Sequence, residues 1–148
     1  LLGGGPERDR FEAMVPGPLR ERVVFLGHRE PREMPDIFTA AQVFCLPSRH
    51  DGWGVVLNEA VGAGLPVVVS DAVGAGHDLV RNGLNGYVTR AGDVGALAEA
   101  LDRLVEDAQL RERFAEASAF MADSWGLDEG VARWLSATDS VLGRRKAA

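Results

Sequence analysis

Apolar residues fall along this chain in short continuous runs, separated by stretches in which they recur every three or four positions. The runs Val23–Leu26, Val43–Leu46 and Val67–Val69 are apolar, the last wholly β-branched, and end at Gly27, Pro47 and Ser70, so each reads as a buried strand. Leu1-Leu2 looks like the end of another, Gly86-Tyr87-Val88 like a shorter one, and Pro66 is acceptable at the first position of its run. Between them the period changes. A helix is expected after Pro6, with acidic Glu7 in its first turn. A second covers about 31–41, where Met34, Ile37, Phe38 and Ala41 share a face. Val55, Val56, Leu57, Ala60 and Val61 form a third before Gly62 and Gly64, and residues 77–80 give one or two turns. Asp93 caps a helix with Leu97, Leu101, Leu104 and Val105 on one side. The tail reads as helix, with one stripe of Leu110, Phe114, Ala117 and Met121, a break near Trp125-Gly126, and a second stripe of Val131, Trp134, Leu135 and Val141.

Short apolar strands alternating with helices imply an α/β fold, a Rossmann-like parallel sheet with helices on both faces, followed here by C-terminal helices. Ligands of such sheets sit at the carboxyl ends of the strands. Chemistry is therefore sought in the loops after Leu2, Leu26, Leu46, Ser70 and Val88.

Length and composition narrow the choice. A chain of 148 residues is about one ordinary domain, and 46% hydrophobic with 26% charged residues is a globular balance that excludes disorder for the chain as a whole. No apolar stretch is long enough for a transmembrane segment. Cys45, the single cysteine, can form no internal disulfide or paired-cysteine metal site and reads as a small core hydrophobe. The net charge of −6, with a basic cluster only at Arg144, Arg145 and Lys146, argues against a nucleic acid partner; those cations suit the C-terminal end of a last helix. The chain opens on Leu1-Leu2 without the charged start of a signal peptide and reads as part of a longer protein.

Three Gly-x-Gly pairs, at 3 and 5, 62 and 64, and 74 and 76, invite a dinucleotide-binding reading, but Arg8, Val67 and Leu79 stand where the third glycine belongs. They read as turns and helix stops. The loop Pro47-Ser48-Arg49-His50-Asp51-Gly52-Trp53-Gly54 differs, because it leaves a strand, concentrates polar groups and opens into the helix carrying Glu59. Free N–H groups around Gly54, Val55 and Val56, with the positive end of the helix dipole, suit a phosphate, and glycines at 52 and 54 allow close approach. Ionised Asp51 and Glu59 would be acceptors for sugar hydroxyls in the same crevice. The plainer alternatives stand beside this: Asp51 as a turn cap, Glu59 as a solvated helix residue, Trp53 as a cover on the core.

Asp51-Gly-Trp-Gly-Val-Val-Leu-Asn-Glu59-Ala, followed by Gly62-Ala-Gly-Leu-Pro-Val-Val-Val-Ser70-Asp71, resembles the C-terminal domain of retaining GT-B glycosyltransferases of family 4, the group 1 glycosyltransferases. Their signature is two glutamates separated by seven residues. Here Asp51 replaces the first, keeping the acid one methylene shorter, and Trp53 replaces the usual Phe. The resemblance extends over nearly the whole chain: Gly3-Gly-Gly-Pro, Val24-Phe-Leu-Gly27, Val43-Phe-Cys-Leu-Pro-Ser48, Asp78-Leu-Val-Arg-Asn-Gly83 with Asn85-Gly86, and Ser124-Trp125 before the last helix.

The resemblance implies that residues 1–148 are the C-terminal nucleotide-sugar-binding domain of a hexosyltransferase, with 107–148 a helical tail and with the domain's first strand and the N-terminal acceptor domain outside the chain. It implies Asp51 and Glu59 as the catalytic pair, Asp51 on the transferred sugar and Glu59 on the donor ribose. Trp53, Gly54, Val55, Val56 and Arg49 would bind the donor, and the backbone at His28 or Arg29 would read the base; no histidine has the surroundings of a catalytic base. It further implies same-face attack assisted by the leaving phosphate, a nucleotide diphosphate sugar as co-substrate, and no cofactor or metal. A cytoplasmic location follows, peripheral to a membrane through the N-terminal domain. The isolated chain is expected to be inactive and to dimerise through apolar surface. Alternatives are a related GT-B epimerase or phosphorylase, the latter without its cofactor lysine pattern here, and a noncatalytic nucleotide-sugar-binding domain.

Overall fold

The computed structural model describes residues 1–143, in two compact units, Leu1–Phe38 and the described residues from Thr39 onward. The expected role of Arg144, Arg145 and Lys146 at a helix end lies outside the described residues.

The first unit holds α1 (Arg8–Met14), a 3-10 helix at Gly17–Arg22, a 3-10 turn at Pro31–Glu33, and the start of α2 (Met34–Ala40). The Pro31 turn carries a capping box in which the Glu30 N–H donates to the Glu33 carboxylate at 2.8 Å. The expected buried strand Val23–Leu26 does not form. The segment is tied to the first residues by the Leu26 N–H on the Leu1 carbonyl and the Gly3 N–H on the Gly27 carbonyl, at 2.8 and 2.9 Å, with one isolated bridge from Leu2 to Gly27. Val24 is exposed. A strand is defined by a neighbour that pairs along its length, and among the described residues Val23–Leu26 has only these few pairings.

The second unit is built on a parallel sheet of β1 (Phe44–Leu46), β2 (Val67–Ser70) and β3 (Gly86–Thr89), in that order across the sheet. α3 (Val55–Gly62) joins β1 to β2, and α4 (Gly76–Leu79) joins β2 to β3. α5 (Val94–Glu106), α6 (Ala108–Asp123) and α7 (Leu127–Val141) follow. The sheet is covered on both faces. Val68 packs into a cluster with Ala100 and Leu104 of α5 and Phe114 of α6, while Val69, pointing the other way along the strand, meets α4 at Gly76. Central β2 is wholly buried, whereas the flanking β1 is half-buried and Cys45 packs at the edge of the Val68 cluster.

Local signals place the helix ends. Asp93 accepts from the Ala96 N–H at 2.9 Å and Asp107 from the Leu110 N–H at 2.8 Å, as caps of α5 and α6. Gly64, at φ +71°, stops α3 as a C-terminal glycine, its N–H on the Val61 carbonyl. Two apolar stripes are corrected. In α5 Leu97, Leu101 and Leu104 face inward with Ala100, but Val105, one residue past that line, is exposed. α7 forms as expected, yet none of its residues is buried, and Val131, Trp134, Leu135 and Val141 face solvent in the described structure. A periodic stripe fixes which side of a helix is apolar, not what covers it.

Candidate functional site

The loops at the carboxyl ends of β1 and β2 are laced together by their backbones. The Asp51 N–H donates to the Ala72 carbonyl at 3.0 Å, Gly74 N–H to the Asp51 carbonyl at 3.1 Å, and Ala75 N–H to the Trp53 carbonyl at 2.7 Å. Asp51 and Val73 form a parallel bridge, and the buried Ser70 hydroxyl donates to the Ser48 carbonyl one layer below. The next loop is tied in turn, since the Asp71 carboxylate accepts from Ala91 N–H at 2.8 Å. The edge of the sheet where ligands are expected is thus one connected rim.

Gly54 is where the first of these loops becomes α3. It is buried at φ +86°, and a Cβ there would stand 2.8 Å from Val73 Cγ1. Gly74 is equally constrained, because a Cβ would run into the Gly52 carbonyl. No side chain caps the start of α3, so the N–H groups of Val55 and Val56 face out beyond the helix end, with Val55 itself exposed. Uncapped N–H groups at a helix start suit an anion.

Asp51 is half-buried, and its carboxylate accepts from the Trp53 N–H at 3.3 Å, a short-range turn contact that leaves it further acceptor capacity. Glu59 is exposed, one turn along α3 from Val55 and on the same side, opposite the buried Leu57, Ala60 and Val61. Trp53 is partly exposed, its ring lies 6.1 Å from that of Trp125, and its indole N–H donates to Asn58 Oδ1 at 2.9 Å. Arg49 is an exposed loop residue beside them in sequence.

His28 and Arg29 belong to the unit Leu1–Phe38. His28 is exposed, 4.0 Å from the Glu30 carboxylate, and Arg29 donates to Glu33 at 3.2 Å. The Glu30 N–H and then the Arg29 guanidinium hold the Glu33 carboxyl below its ordinary range. Sequence reasoning missed Asn58, Ala72, Val73 and Ala75 as builders of the rim. Its one available signal was Gly74, which it read as a turn and which is where two loops touch.

The description "Glycosyl transferases group 1" matches residues 1–119. The chain belongs to the group 1 glycosyltransferases. It is 38% identical over 120 residues to the phosphatidyl-myo-inositol mannosyltransferase of Mycobacterium leprae, covering 80% of this chain and 32% of that protein. It is 32% identical over 120 residues to the alpha-D-kanosaminyltransferase of Streptomyces kanamyceticus, covering 80% and 31%. The solved structure of Anabaena HepE in complex with UDP and glucose matches with a TM-score of 0.75 at 29% identity, over 93% of this chain and 40% of that one. This group 1 glycosyltransferase chain thus spans about a third of the length of these curated relatives. Its parallel sheet with helices on both faces is the GT-B architecture expected from the motif.

Proposed function

We propose that the chain is the donor-binding half of a retaining hexosyltransferase that takes a sugar from a nucleotide diphosphate donor to an acceptor hydroxyl. The observation that carries this reading is the uncapped start of α3, set into the laced rim at Gly54, within a chain of this family. The diphosphate lies over the N–H groups of Val55 and Val56, where the helix dipole meets its charge, and Arg49 adds a cation. Asp51, with the Trp53 and Gly54 backbone, holds the transferred sugar, and Glu59 accepts from the ribose hydroxyls. Backbone at His28 or Arg29 reads the base.

In the transfer the bond from the anomeric carbon to the diphosphate oxygen breaks as the bond to the acceptor oxygen forms on the same face. The acceptor's proton passes to the departing diphosphate. These residues position the donor and stabilise the leaving charge, work that fixed N–H dipoles perform without a metal. The acceptor is held by sequence outside these 148 residues, so the chain alone binds donor without transferring it.

Calorimetric titration with UDP-, GDP- and ADP-sugars tests this. One of them binds, and Glu59→Ala weakens it at least about tenfold, the scale of a hydrogen bond to a charged group. Binding that Glu59→Ala leaves unchanged would remove Glu59 from the site. Chelator leaves the affinity unaltered; loss of binding in chelator would overturn the metal-free reading.

A further inference from the structure

The motif loop is touched from a second direction, by the turn between α6 and α7. The rings of Trp53 and Trp125 are 6.1 Å apart with their planes inclined at 47°, within the range of favourable tilted pairs, and the Arg133 guanidinium lies 5.8 Å from the Trp125 ring centre. Trp53 stands between Gly52 and Gly54, and its backbone is held locally by its N–H on the Asp51 carboxylate at 3.3 Å and by Gly54 fitted against Val73. Three further contacts orient it: Ala75 N–H on its carbonyl, Asn58 on its indole, and Trp125 on its ring.

Trp125 follows a helix anchored in the core. α6 is anchored by buried Phe114 and by the Ser118 hydroxyl, which donates to the Leu65 carbonyl at 2.7 Å, and the Trp125 N–H donates to the Ala122 carbonyl at 2.9 Å. α3 and α6 lie side by side in opposite directions. Gly64, past the end of α3, is beside Ala115 and Ala119, whereas Trp53, before its start, meets Trp125 beyond the end of α6.

We propose that Trp125 is a positioning residue for the donor loop: by packing on Trp53 it holds the Trp53–Gly54 peptide where the transferred sugar is received. The sugar part of this statement rests on the donor-site reading above. The Trp53 ring reaches this turn, and its indole N–H donates to Asn58 Oδ1.

Two measurements on the 148-residue chain test it, with Trp125→Ala and the conservative Trp125→Phe. Without ligand, amide hydrogen exchange at residues 52–55 is faster in Trp125→Ala and restored in Trp125→Phe, while β2 amides exchange as in wild type. Unchanged exchange at 52–55, or faster exchange spread through β2 as in general destabilisation, would overturn the proposal. With ligand, Trp125→Ala weakens UDP-glucose, or whichever of GDP-mannose and ADP-glucose binds, by about three- to tenfold and leaves the matching nucleoside diphosphate within about twofold. Equal weakening of both, or of neither, would also overturn it. A wild-type chain that binds none of these sugars would sink the donor-site reading alone, and the exchange experiment would still decide whether Trp125 orders the loop.

Discussion

The hydroxyl of Ser118 in α6 donates to the carbonyl of Leu65 in the turn between α3 and β2, at 2.7 Å, and the Ser118 side chain is fully buried. Asn85 completes the same polar island. Its Nδ2 donates to the Leu79 carbonyl at 2.9 Å and more weakly to Ser118 Oγ at 3.4 Å, and its Oδ1 accepts from the Arg81 N–H at 2.8 Å. Ser118→Ala strands a buried carbonyl and is expected to cost about 1–3 kcal/mol in urea unfolding, with Asn85→Ala costing more because two backbone groups lose their partner. Loss within about 0.5 kcal/mol for both would mean that water satisfies these groups.

Gly54 is required by φ and by space together. Gly54→Ala forces a side chain into the left-handed region, at about 1–2 kcal/mol, and drives its Cβ against Val73. Both effects fall on the joint between the two rim loops. The expected result is a lower melting temperature with a disproportionate loss of nucleotide-sugar affinity. A variant that binds donor like the wild type would show that the N–H groups of α3 do not hold it.

Cys45 sits on the half-buried β1, and burial pushes its thiol above the ordinary range. The thiolate fraction at a given pH is therefore smaller than for a free cysteine, and access is poorer as well. Alkylation with iodoacetamide at pH 8.5 should be slow in the folded chain and reach the ordinary rate in urea. Equal rates in both would contradict the packing assigned to β1.

Glu33 carries the opposite shift, lowered chiefly by the Glu30 N–H and further by Arg29, in a capping box open to solvent. A carboxyl held low favours the fold above its ordinary value of 4.5, and this contribution is lost as pH falls through the lowered value. Carboxyl-carbon NMR should titrate Glu33 below 4.5, and Arg29→Ala should move the midpoint only part of the way up, since the backbone donor remains. A full return to 4.5 in Arg29→Ala would reverse the order of causes.

The chain's order of strands and helices in Thr39–Ala148 could be read from the sequence because period, caps and stop glycines are local properties. Val67–Val69, Asp93 and Gly64 act within a few residues of themselves. The motif from Asp51 to Glu59 was legible for the same reason, as a loop opening into a helix. Tertiary structure decided everything that needs a partner distant in sequence. Val23–Leu26 has strand-forming residues but is not paired along its length among the described residues, and the α7 stripe has an apolar side that the described structure leaves open. The lacing of Asp51 and Trp53 to residues 72–75, and the packing of Trp53 on Trp125, join segments about 20 and 70 residues apart. No local pattern encodes such contacts, because each depends on where the sheet and α6 place two surfaces that never meet in the sequence.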